Sequence, residues 1–201
     1  MIYTPLAVAL LAVNASALTL PDFSAALAQV RQSVKETRQA QVQQKAADLA
    51  NDIRSLGWDV DRERRNVSQF RFRIQDVARR ARQSQPNQPD PFLRSEVQRL
   101  VWDLQESARQ LDWSLRDLQR IRREAVKDPA LVSPARQLES SVQWLQSDAT
   151  WVEMDARNAS WDLRRAGFSF EAWDVERGGS DITRTARDLQ SESRELLNKV
   201  Q

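Results

Sequence analysis

The sequence predicts an all-α protein, an elongated antiparallel bundle of four to five long helices with coiled-coil-like heptad packing. Three observations lead there. The 4 Gly and 7 Pro of the 201 residues fall in clusters that punctuate the chain. The stretches between them are rich in Ala, Leu, Gln, Arg and Glu, which lose little freedom in a helix. Apolar residues recur every seven positions, the seam of left-handed helix packing, and no alternating strand pattern of useful length occurs.

Residues 1–17 read as a cleaved export signal. They carry no charge, Pro5 to Val13 is almost unbroken apolar sequence, and Ala15-Ser16-Ala17 has the small-x-small form that signal peptidases accept. Met1-Ile2-Tyr3-Thr4 lacks the usual Lys or Arg, so an apolar N-terminal helix packed on the domain is the rival. The run is too short to span a bilayer, which takes about 20 residues. The mature protein then begins near Leu18, is secreted or periplasmic, and forms one domain over residues 18–201.

The first helix, 22–56, follows Pro21 and carries Phe23, Leu27, Val30 and Val34, a polar middle at Gln39 to Gln44, and then Leu49, Ile53 and Leu56. Gly57 is read as a break, with Asp59 capping a second helix over 59–84. An unbroken helix over 22–84, about 90 Å long, is the alternative, because an interior Gly costs only about 1 kcal/mol. That alternative gives a long helical hairpin or a spectrin-like coiled coil. The second helix repeats Val60, Val67, Ile74 and Ala81 beside Phe70 and Val77. Pro86, Pro89 and Pro91 form a loop, and Asp90-Pro91 caps a helix over 91–127 with Val97, Leu104, Leu111, Leu118 and Ala125 in its seam. Pro129 and Pro134 form the next loop. Ser133-Pro134 starts a helix over 134–165 with Leu138, Leu145, Val152 and Ala159. After Gly167, Phe168 to Trp173 predicts a short aromatic helix over 170–177 that plugs one end of the bundle. Gly178-Gly179 closes it, and Ser180 or Asp181 caps the last helix, 181–199. The likeness of 103–111 to 188–196 reads as two amphipathic helices converging on one heptad, not as a duplication.

With no Cys and no His there is no disulfide framework, no thiolate or imidazole catalyst and no zinc or imidazole metal site. No Gly-rich phosphate loop or nucleophile–base pair stands out. The expectation is a non-enzymatic protein without cofactor or metal. The Asn-x-Ser triplets at Asn66 and Asn158 are short enough to arise by chance.

The seven Trp are the informative residues. At about 100° per residue from Val97, the apolar seam spans roughly 0° to 40° while Trp102 and Trp113 fall near 140° and 160°. Counted from Leu138, Trp144 falls at about 240°, Trp151 at about 220°, and Trp161 at about 140° beside Met154. These five lie off the seams of their own helices. Either the helices have a second buried face, in a bundle or an oligomer, or the rings form an exposed recognition surface. Trp-Asp also occurs at Trp58, Trp102, Trp161 and Trp173, too irregularly for a propeller repeat.

Of 30 basic residues 26 are Arg, densest over 62–82. Arg62, Arg73 and Arg80 are read as a basic face opposite the seam, whereas Arg64 and Arg71 flank the seam and should pair with acids on a neighbouring helix. Interleaved acids favour a solvated, ion-paired face over a polyanion site. The sequence therefore points to an exported binding, scaffold or chaperone-like bundle working through Trp102, Trp113, Trp144, Trp151 and Trp161. Its partner would be another protein or a second copy. The alternatives are a bundle that binds a lipid surface and polyanion binding through residues 62–82; nucleic acid is disfavoured for an exported chain.

Overall fold

A computed structural model describes residues 20–86 and 90–201; the proposed signal, residues 1–17, and Pro89 lie outside them. The described residues form four helices, α1 (Leu20–Gln83), α2 (Pro91–Glu124), α3 (Pro129–Arg165) and α4 (Ser169–Val200), and no strand. The chain divides into two compact units, Met1–Lys45 and Ala46–Gln201. In the first, the described part is a single helical stretch belonging to α1, with every side chain from Leu27 to Lys45 exposed. The second is the helical bundle.

The bundle core is aliphatic. Ile53, Leu56, Val60, Val67, Phe70, Ile74, Val77 and Ala81 of α1 are buried on a heptad seam, with spacings of three and four on either side of Glu63. The seams predicted for α2 and α3 are buried likewise, and α4 buries Ile182, Ala186, Leu189, Leu196 and Val200. Antiparallel α1–α2 packing follows from the cross-helix pairs Asp52–Arg120, Arg73–Asp103 and Arg80–Glu96. Arg64–Asp148, Arg71–Asp155 and Arg82–Asp162 set α3 parallel to α1. Helix α4 packs on both α2 and α3. The order around the bundle is therefore α1, α2, α4, α3, and the short connection from α2 to α3 crosses a diagonal.

Three boundaries differ from the expectation. Gly57 does not end a helix: α1 runs through it, and a Cβ there would meet nothing within 4 Å. Gly178 and Gly179 do not break one either. They are buried inside α4, where Cβ atoms would come within 2.9 Å of the Cβ atoms of Leu104 and Ala156. These glycines permit close approach of α4 to α2 and α3, so the expected helices 170–177 and 181–199 are one, and Ser180 and Asp181 are interior, not caps. Of the expected aromatic plug only Phe168 is buried, while Phe170 and Trp173 are exposed. Helix α3 starts at Pro129 under Asp128, whose carboxylate accepts from Ala130 N at 2.8 Å; Pro134 lies inside the helix. At α2 the predicted cap forms, with Asp90 accepting from Phe92 N at 2.9 Å. Gly167, at φ 90°, ends α3: its N–H reaches Arg164 O and that of Phe168 reaches Leu163 O, while buried Phe168 and Leu163 supply the accompanying apolar pair.

Candidate tryptophan surface

Aliphatic residues fill the bundle with Phe70 and Phe168, and the indoles are left outside. All seven Trp are exposed, from 46% at Trp151 to 74% at Trp58, together with Phe72, Phe92 and Phe170. The expectation of a second buried face therefore does not hold within one chain.

Cross-helix contacts set the relative levels of these rings. Arg71 reaches Asp155 at an offset of 84 residues, and Arg64–Asp148 repeats that offset, so Trp144 lies level with Asp59–Val60 of α1. The contacts Glu63–Ser107 and Asp52–Arg120 bracket Trp113 on α2 and place it opposite Gly57 to Asp59. Trp58, Trp113 and Trp144 thus occupy one level on three helices in the order α2, α1, α3. Their directions agree. Trp113 lines the groove between α1 and α2. Trp144 precedes Trp151 by one heptad, and Arg71 of α1 lies over the Trp151 ring at 4.9 Å, so both rings border α1. Trp58 is two residues before the seam residue Val60 and points outward between them.

The groove beside Trp58 and Trp113 holds about 650 Å³ and is lined by more acids than bases: Asp59, Glu63, Asp103, Glu106 and Asp117 against Arg62 and Arg73. Glu63 is its buried floor. It occupies a seam position, accepts from Ser107 Oγ at 2.5 Å, and takes a second hydrogen bond from Asn66 Nδ2 at 3.0 Å.

The five expected Trp do not form one surface. Trp113, Trp144 and Trp151 gather on the α1 side, with Trp58 between them. Trp102 shares the face of Trp113 on α2 but lies about 16 Å further along the helix, outside the groove. Trp161 stands beside Met154 on the outer face of α3, with Arg164 over its ring at 5.8 Å. Arg177 covers Trp173 at 5.0 Å. Among the described residues, no cation stacks on Trp58, Trp102, Trp113 or Trp144.

The expected basic face is not a free one. Arg73 bonds Asp103 at 2.6 Å and Arg80 bonds Glu96 at 2.8 Å, both across to α2, and Arg62 pairs with Asp59. Arg64 and Arg71 pair with α3 as the sequence predicts. Of the eight Arg in 62–82 only Arg65 has no acidic partner among the described residues.

Sequence periodicity finds the off-seam rings within one helix. It gives no level between helices, so it passes over Trp58 as part of a dipeptide and groups Trp102 and Trp161 with rings that they do not adjoin. The chain matches no protein-family model, no curated protein and no solved structure.

Proposed function

We propose that this protein is a non-enzymatic docking or scaffold protein whose working surface is the Trp58–Trp113–Trp144 band with the acidic groove beside it. The observation that supports this reading is the exposure of three uncovered indoles at one level of a bundle whose core is already full. Trp is the side chain most enriched in residues that dominate binding energy, and exposed aromatic side chains that share one level of a surface mark a contact site. In the groove Asp59, Asp103, Glu106 and Asp117 are each already paired with an Arg and Glu63 is buried, so the apolar rings and not a free charge carry the contact with a polypeptide partner. An export route, and with it a secreted or periplasmic setting, rests on residues 1–17 alone.

The test is a displayed peptide library panned on the full chain. Recovered peptides should share aromatic or aliphatic anchors. They should lose at least about tenfold in affinity for the Trp58→Ala/Trp113→Ala/Trp144→Ala variant, since one buried aromatic anchor is worth about 2 kcal/mol or more. Equal binding to that variant, with its helicity unchanged, sinks the proposal. Loss of a dimer in the variant, seen by mass in solution, would make a second copy the partner.

A further inference from the structure

We infer that residues 27–45 of α1 form a basic amphipathic segment that docks on an anionic lipid surface, independently of the tryptophan band. Every side chain in this stretch is exposed, including Leu27, Val30, Val34 and Val42 at 42–58%. With Leu27 at zero and about 100° per residue, Val30 and Val34 fall near 300° and 340°, a narrow apolar stripe over the first turns that Gln41, at about 320°, interrupts further on. Lys45, Arg38, Arg31 and Lys35 follow at about 0°, 20°, 40° and 80°, with Val42 at about 60°. Gln39, Gln32 and Gln43 occupy about 120° to 160°, and the one acid, Glu36, is at about 180°, on the far side. Arg38, Arg31 and Lys35 therefore border the apolar stripe, Lys45 lies on its continuation, and the carboxylate is turned away from it.

The charge identifies the occupant. Four cations stand against Glu36 alone between Leu27 and Lys45, a larger excess than the +2 of the whole chain. Glu36 is engaged by Gln32 at 3.0 Å, and among the described residues no acid pairs with Arg31, Lys35, Arg38 or Lys45. The bundle differs, since nearly every Arg of its 62–82 stretch has an acidic partner. A second copy laid on the stripe would bring like charges together. An anionic headgroup layer meets the cations while the Leu and Val side chains enter its acyl boundary, as basic amphipathic helices do. The stripe is too lightly apolar to hold a neutral bilayer, so the docking depends on charge.

The test is flotation of the full chain with vesicles of phosphatidylglycerol and phosphatidylcholine, and with phosphatidylcholine alone. The protein should float with the anionic vesicles only and be released by raised salt. Arg31→Glu with Arg38→Glu should lower the bound fraction about tenfold or more. Val30→Asp should weaken binding as well. The Trp58→Ala/Trp113→Ala/Trp144→Ala variant should float normally, which separates this inference from the docking proposal. No flotation, equal flotation with phosphatidylcholine alone, or indifference to the charge reversals overturns it. So does a dimer that Val30→Asp converts to monomer, which would give the stripe to a second copy.

Discussion

Glu63 stands where the heptad of α1 gives every neighbouring seam position to an apolar residue, and the cost of burying its carboxylate is met by Ser107 and Asn66. Removing one donor leaves a buried acceptor short. Ser107→Ala should therefore destabilise the fold by about 1–3 kcal/mol, read as a lower urea midpoint at unchanged m. Replacing both partners, as Glu63→Leu with Ser107→Ala, should restore or exceed wild-type stability, because a polar pair exchanged for well-packed apolar groups is often neutral or better. A double variant less stable than Ser107→Ala alone would mean that Glu63 serves the seam in some way other than through this pair. The seam of α1 was legible in the sequence from Val60, Val67 and Ile74. Glu63 was not, because a lone acid at a seam position becomes recognisable only when the facing Ser107 is known.

At the scale of the helix, the same residue type has opposite meanings at two places. Gly57 has an open flank in an unbroken helix, so Gly57→Ala should raise stability by about 0.5–1 kcal/mol through backbone entropy alone. Gly179→Ala drives a methyl against Ala156 Cβ and the α3 backbone and should cost about 1–3 kcal/mol. Thermal melts of the two single variants, moving in opposite directions, check both. If Gly179→Ala is neutral, the close approach of α4 to α3 is not rigid. No local cue in the sequence tells these glycines apart, since the difference lies in what another helix brings near. For the same reason Asp90-Pro91 was readable as a start, whereas Pro129 was read as part of a loop and Ser133-Pro134 as the start of α3: Asp128 has the same cap chemistry, and burial of Leu131 and Pro134 against the core extends α3 backward over the second proline. Helix type and seam are local and were legible; helix order around the bundle is set by pairs such as Arg71–Asp155 and was not.

Over the whole molecule the usual placement of Trp is inverted, with aliphatic residues, Phe70 and Phe168 inside and every indole outside. Trp buries more apolar area than most side chains, so a bundle that keeps seven of them in water forgoes stabilisation that a partner can supply. Two consequences are measurable on the full chain. Trp emission should be red-shifted and open to iodide quenching. The Trp58→Ala/Trp113→Ala/Trp144→Ala variant should keep its stability to within about 0.5 kcal/mol per site, as surface substitutions do. Loss of several kcal/mol would show that the rings brace the helices and that their exposure serves no partner. Blue, protected emission from an oligomer whose variant is monomeric would assign the band to self-association. Red, quenchable emission with stability intact leaves the three indoles free of any structural duty, and binding then accounts for their place at one level of three helices.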